Sequence, residues 1–315
     1  MAISPTRTTM IKVMLTGANG QLGQALRHYM SLQKSTFTLM SFSHGELDIA
    51  DEQSVLDAVM QCQPDFIINT AAYNNVELAE TETEQAFKVN QLGPKNLAKA
   101  AQTMAATLIQ ISTDYVFDGH QAAAYVEDDT PLPLNQYGKS KLAGEQSVQD
   151  ICSKHIIIRT AWVFSEWGNN FVKSMVNLAA NNHSLNIVND QVGCPTYAGD
   201  LAAAIINIMS QLTAKSHQQA DNTALYDTYH FCGYPYANRY QYVEAIYANL
   251  KQSQPELATP TLLPVASATF ASKAIRPTHS MLACSKITNT FGIAPSDWQA
   301  GLAKMFNPLT GTHDN

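Results

Sequence analysis

At 315 residues the chain can fold as one large α/β domain, or as such a domain with a smaller lobe, around a sizeable core. Apolar residues make up 45% and charged residues 14%, which excludes a disordered chain. The formal net charge of −7 excludes a protein that coats nucleic acid, so an anionic ligand would need locally placed Arg, Lys or backbone N–H groups.

Residues 1–10, MAISPTRTTM, lack the apolar core of a secretory signal and read as a disordered tail. Ile11–Leu15 is a short β-rich run that ends at Thr16-Gly17, and a helical pattern follows over about Gln21–Leu32. Phe37–Phe42 reads as a second strand, and Asp51–Met60 as a helix opened by acidic residues, which the helix dipole favours. Asp65–Asn69 is a third strand, almost continuously apolar and so expected to be buried on both faces. Glu84–Met104 is a long helical pattern, Thr107–Ile111 a fourth strand, Gln136–Gln149 a helix and Ile156–Arg159 a fifth strand. Strands separated by helices at this rhythm predict right-handed βαβ units in a doubly wound parallel sheet.

The pattern loosens after about residue 165 into Pro and Gly turns, a helix near Asp200–Gln211, an extended Leu225–Phe231 and a helix near Arg239–Leu250. We therefore expect a Rossmann-type α/β domain over 11–165, to which later segments return, a smaller lobe over 166–308, and a frayed C-terminal tail over 309–315. The longest strongly apolar stretch, Leu201–Met209, is too short to cross a bilayer. Five cysteines, odd in number and without a C-x-x-C pair, point to reduced thiols in a cytoplasmic protein. No histidine spacing suits zinc, so no metal is expected.

Gly17-Ala18-Asn19-Gly20-Gln21-Leu22-Gly23 is G-x-x-G-x-x-G, placed after the first strand and opening the first helix. Such a turn lets backbone N–H groups approach a pyrophosphate, and the helix N-terminus then faces the negative charge. The spacing is the wider one of short-chain dehydrogenases and their extended relatives. A dinucleotide fold that prefers NADH carries an Asp or Glu at the end of the second strand to bind the ribose hydroxyls. This chain has Ser41, Ser43 and His44 there, which leans toward NADPH with NADH as the alternative. Asp48 and Ile49, just beyond, are placed to border the adenine.

Tyr137 and Lys141 form Y-x-x-x-K on a predicted helix, so both side chains share one face. Reducing a ketone needs a hydride at carbon and a proton at oxygen. A phenol is a reluctant donor, and a nearby ammonium stabilises the phenolate left behind. Thr113, in Ile111-Ser112-Thr113-Asp114-Tyr115-Val116-Phe117 at the end of the fourth strand, can hydrogen-bond the substrate carbonyl and complete a triad, because strand C-termini line the ligand crevice in this architecture.

In these segments the sequence resembles the dTDP-4-dehydrorhamnose reductases of the extended short-chain dehydrogenase superfamily. LTGANGQLGQAL, LDIAD, PDFIINTAAY, STDYVFDG, PLNQYGKSKLAGE, IIRTAWVF, GNNF, NDQVGCPT, IRPTHSML and SDWQAGL follow in family order from about residue 11 to residue 305. The resemblance implies reduction of the 4-keto group of dTDP-4-dehydro-6-deoxy-L-mannose to dTDP-L-rhamnose by NADPH or NADH. It implies Thr113, Tyr137 and Lys141 as the catalytic triad, and Val76, Asp114, Tyr115 and Trp162 about the sugar. Asn69, Ala71 and Ala72 would lie where the cofactor passes. Gln191 and Arg276 would lie in the segments that shape the substrate lobe, with Arg276 able to meet a substrate diphosphate. The protein is expected to act in the cytoplasm as a monomer or homodimer, with no nucleic-acid or membrane partner.

Some positions depart from the family pattern. Val76-Glu77-Leu78-Ala79-Glu80 stands where V-D-x-A-E is usual, and His279 stands where N-S-x-L is more typical. These differences leave open a related reductase acting on another nucleotide-linked 4-ketosugar. Ala25 occupies the place of an acidic residue that holds a metal at a dimer contact in some members. A further alternative is a non-catalytic nucleotide-binding subunit, like the regulatory subunit of methionine adenosyltransferase. Trp162 and the DQVGCPT segment favour the reductase.

Overall fold

A computed structural model describes residues 10–217 and 221–306. The two expected tails fall outside these residues apart from Met10, which is exposed. Five strands, β1 (Ile11–Thr16), β2 (Phe37–Phe42), β3 (Phe66–Asn69), β4 (Thr107–Thr113) and β5 (His155–Thr160), join the later segment Thr228–His230 in a six-stranded sheet of order β2-β1-β3-β4-β5-(228–230). Every pairing in it is parallel. The order reverses direction between β1 and β3, and a crevice opens there beyond the carboxyl ends of the strands.

Alternate residues of each strand feed two different cores, as the period of two requires. Val13, Leu15, Ile68, Ile109, Ile156 and Ile158 pack on one face with helix α1 (Gln21–Ser31) and with the helix Ala198–His217. Met14, Ile67, Leu108 and Ile157 pack on the other face with α2 (Glu52–Cys62) and the helices Gly93–Met104 and Gln136–Ile151. The continuous apolar character of β3 follows, since all four of its residues are buried. Asp51 opens α2 as an N-cap, its carboxylate accepting from the Ser54 N–H at 3.0 Å. The long pattern before Met104 is interrupted: a helix over Thr83–Phe87 passes into a π-helical turn, Lys88–Leu92, before Gly93–Met104 resumes.

The second half divides its residues between the sheet and a separate cluster. Ala198–His217 packs on α1 and Thr228–His230 pairs with β5, so both extend the first half's architecture. A third core, with Phe164, Val172, Met175, Tyr242, Ile246 and Trp298 among its members, gathers the helices Phe171–Ala179, Arg239–Ser253 and Trp298–Phe306.

Arg159 of β5 is buried directly after three buried isoleucines, Ile156, Ile157 and Ile158. Its Nε and Nη2 lie 3.0 and 2.7 Å from the two carboxylate oxygens of Glu145. His230 sits beside it, and burial followed by the Arg159 charge lowers the imidazole to about 3, so it stays neutral. Removing one partner of such a pair leaves an uncompensated charge in the interior. Glu145→Ala should therefore cost about 3–5 kcal/mol in a urea melt, whereas Glu145→Leu combined with Arg159→Met should recover most of that loss. A single-variant cost below about 1 kcal/mol, the range of surface pairs, would show that the pair carries no such weight.

Candidate active site

The glycine turn is built by contact with the third strand. Gly17 has φ +75°, and a Cβ there would lie 2.5 Å from the Ala71 nitrogen, so only glycine fits both the backbone angle and the approach. Gly20 caps α1 without a side-chain hydrogen bond, and no acidic residue lies in the helix's first turn. The first N–H groups of α1 thus remain available to an anion. Asn19, Gly20, Gln21, Leu22 and Gly23 all border a cleft of about 690 Å³. Gln21 also ties the turn to the second half: its amide donates to the Val163 carbonyl at 3.4 Å and accepts from Ser165 Oγ at 3.2 Å.

Thr113, Asp114, Tyr115, Tyr137 and Lys141 line the same cleft, as do Ala72, Val76, Trp162 and Arg276. Asn135 caps the tyrosine helix by accepting from the Gly138 N–H at 2.8 Å, and Glu80 accepts from the Gln136 N–H at 2.8 Å. The π-helical turn directs Asn90 inward, where its amide donates to Ser140 Oγ and to the Tyr73 carbonyl, both at 3.0 Å. That bond clamps the tyrosine helix to the loop after β3. The Tyr137 ring meets Tyr115 edge-on, with centroids 5.6 Å apart, and packs on Ala79 and Ala86.

Burial drives the Tyr137 phenol well above its usual range, with Thr113 drawing it part of the way back. Burial also lowers the Lys141 ammonium to about 8, opposed by the Glu145 carboxylate. Lys141 Nζ donates to the Ile111 carbonyl at 2.7 Å; no hydrogen bond joins it to Tyr137. Thr113 Oγ1 donates to Asp114 at 2.9 Å and accepts from the Tyr115 N–H at 3.1 Å. Burial raises Asp114 to about 6, opposed by the nearby Ser280 and Thr113 hydroxyls.

Three buried oxygens bordering this cleft, Ser112 Oγ, Asp114 Oδ2 and Thr160 Oγ1, have no hydrogen-bond partner within the protein. Ser112 and Thr160 stand at the carboxyl ends of neighbouring strands. Buried polar atoms without partners are costly. Three of them around one cleft that also reaches the N-terminus of α1 fit a site for a polar dinucleotide and a hydroxylated substrate.

Other expected site residues lie outside the cleft's lining. Asn69 is wholly buried and accepts from Thr16 Oγ1 at 2.6 Å while donating to Gln110 at 2.8 Å. Its side chain is consumed in a brace across β1, β3 and β4 and is not turned to a cofactor. Ala71 packs against the second core. Ser43 donates to Glu46 at 2.7 Å. The Asp48 carboxylate lies 3.5 Å from Lys88 and accepts from the Ala50 N–H at 3.0 Å. Ile49 is buried beneath Gly93. Gln191 borders a neighbouring groove of about 900 Å³, and its amide donates to Ser267 at 3.0 Å.

Trp162 has φ 45°, a left-handed backbone that costs a bulky residue on the order of 1–3 kcal/mol. Gly193 makes room for the ring: a Cβ there would lie 2.6 Å from the indole. The Arg239 guanidinium covers the ring at 3.5 Å. Thr70, Gly168 and Asn169, which lie in the quoted segments PDFIINTAAY and GNNF, also line the cleft, as does Arg239, which no motif in the sequence links to it. Ser112 and Thr160 did carry a signal, as hydroxyl residues closing strands.

The RmlD substrate binding domain family matches residues 11–310. A dTDP-4-dehydrorhamnose reductase of Aggregatibacter actinomycetemcomitans is 38% identical over 293 residues, covering 93% of this chain and 97% of that protein. The crystal structure of a dTDP-4-dehydrorhamnose reductase from Bacillus anthracis in complex with NADP superimposes with a TM-score of 0.85 at 34% identity, covering 95% of this chain and all (100%) of that one. An orthologue from Clostridium acetobutylicum gives the same score, 0.85, at 33% identity, covering 95% and 99% of the two chains. Matched along almost its whole length in sequence and in fold, the chain belongs to the dTDP-4-dehydrorhamnose reductase family.

Proposed function

We propose that this chain reduces the 4-keto group of dTDP-4-dehydro-6-deoxy-L-mannose to dTDP-L-rhamnose, with NADPH as preferred donor and NADH as the alternative. The observation that carries the reading is one cleft bordered by the glycine turn, Thr113, Tyr137 and Lys141. The family relatives and the NADP complex of the Bacillus anthracis protein support it.

When bound, the reduced nicotinamide supplies a hydride to the carbonyl carbon. Tyr137 gives its phenolic hydrogen to the carbonyl oxygen, leaving a phenolate that solvent reprotonates. Raised by burial, the phenol carries its proton at neutral pH. Lys141, still mostly an ammonium at pH 7, stabilises the phenolate as it forms. Thr113 positions the carbonyl, with Asp114 and Tyr115 about the sugar. Gly17, Asn19, Gly20, Gln21, Leu22 and Gly23, at the N-terminus of α1, would hold the dinucleotide phosphates. The groove that includes Phe171, Met175, Ile187 and Gln191 suits the thymidine end of the substrate, with apolar walls for the base and an amide for its edge.

We read the protein as a cytoplasmic enzyme acting as a monomer or homodimer. Among the described residues no helix is long and apolar enough to cross a membrane. All five cysteines are free, including Cys232 and Cys284, whose sulfurs lie 3.6 Å apart, and reduced thiols suit a reducing compartment.

Tyr137→Phe should lower NADPH oxidation on enzymatically prepared dTDP-4-ketosugar by roughly 100- to 10,000-fold while leaving NADPH binding intact. Unchanged turnover would remove Tyr137 as the acid, and NMR of the product's C4 centre would reveal any other sugar. In a pH profile of the wild-type protein, kcat/KM should fall as pH rises through about 8, because the ammonium form of Lys141 is lost there. Activity that holds to about pH 10, the range of an ordinary lysine, would show that this charge is not used.

A further inference from the structure

Two guanidinium groups, those of Arg239 and Arg276, stand where the catalytic cleft meets the neighbouring groove, and both border each cavity. They are not equivalent. Arg276 Nη2 lies 2.8 Å from Glu77 Oε1, and Glu77 is held down to about 2 by Ser272 and Arg276, so the pair is an ion pair over the working pH range. Arg239 has no such partner. Among the described residues its guanidinium makes no hydrogen bond and no ion pair, although its position is fixed on every other side. Its backbone N–H donates to the Gln191 carbonyl at 3.1 Å. The guanidinium carbon lies over the Trp162 ring, 3.5 Å from its centroid, with the Phe171 centroid 5.0 Å away.

This is a costly place for a lone cation. Arg239 is the first residue of a 15-residue helix, behind the capping box of Asn238 and Gln241, where the helix dipole disfavours positive charge. Burial and the Arg276 charge act in the same direction. Asp114 faces it but forms no ion pair with it, and Asp114 Oδ2 is itself without a hydrogen bond. A rigid guanidinium with five free donors in such surroundings is arranged to receive a multiply charged anion arriving from outside.

We infer that Arg239 binds the diphosphate of the nucleotide sugar at the junction of groove and cleft, directing the sugar toward Thr113 and Tyr137. The inference rests on the dTDP-sugar reading above and deepens it: Arg276, engaged with Glu77, shapes the junction, while the unpaired Arg239 supplies the contact that distinguishes diphosphate from bare nucleoside. Trp162 then serves as the platform that supports the guanidinium as well as a wall of the sugar site.

Thymidine, dTMP and dTDP, titrated calorimetrically into the wild-type protein and into Arg239→Gln, Arg239→Lys and Arg276→Gln, separate these ideas. Wild-type affinity should rise along the series. Arg239→Gln should weaken dTDP by about 10- to 100-fold, the worth of a charge-assisted contact, with thymidine unaffected and NADPH binding retained. Arg239→Lys, which keeps the charge but not the fork, should fall between, and Arg276→Gln should cost dTDP less than Arg239→Gln does. With ketosugar as substrate, Arg239→Gln should raise KM by more than it lowers kcat. Unchanged dTDP affinity, or equal losses for thymidine and dTDP, would overturn the assignment of Arg239. A wild-type protein that binds none of the three would instead sink the dTDP-sugar reading itself.

Discussion

Removing a phenol and an ammonium from water side by side sets the terms for the rest of the cleft. The same desolvation acts in opposite directions on the two groups, raising Tyr137 and lowering Lys141. Burial favours the neutral form of each: the phenol holds its proton until a carbonyl takes its hydrogen, and the ammonium remains charged only while pH stays below about 8. The surroundings keep this balance within bounds. The Ile111 carbonyl accepts from Lys141, Glu145 supports its charge, and the edge of Tyr115 fixes the ring plane of Tyr137.

The position of that pair depends on irregular backbone nearby. An uninterrupted helix from Thr83 to Met104 would carry Asn90 to a different angle. The π-helical turn turns it to the tyrosine helix, where it holds Ser140 and the loop after β3 together. Glu145 has two roles for a related reason. It neutralises Arg159 under the sheet and acts on Lys141 from the same helix, so the buried pair that stabilises the fold also adjusts the site.

Charge is distributed against the protein's own average. The chain as a whole is acidic, yet the junction of cleft and groove presents two guanidinium groups, one balanced by Glu77 and one not. The departure Val76-Glu77 in the sequence acquires a physical meaning here, since the longer carboxylate reaches Arg276, Ser272 and the Lys273 N–H together. His279, the other departure, sits beside Thr278 with its backbone N–H donating to Gly119, and nothing in its contacts connects it to the cleft.

The alternation of strands and helices, the parallel sheet, the glycine turn and the Tyr137–Lys141 face were all legible along the chain, because each is written in residues that are neighbours in sequence: a period of two, a period near four, a turn that only glycine permits. Distant convergence was not legible. The Arg239 guanidinium lies over the Trp162 ring although the two belong to separate segments, and only the packing of the helix Arg239–Ser253 beside the β5 exit brings them together. The direction of a side chain was equally hidden. Asn69 ends a strand where a cofactor contact would be expected, yet it bonds sideways to Thr16 and Gln110, and Gln191 faces the neighbouring groove. A linear pattern fixes which residues share an element and a face, whereas the partner each polar group finds is settled by the strands and helices that close around it.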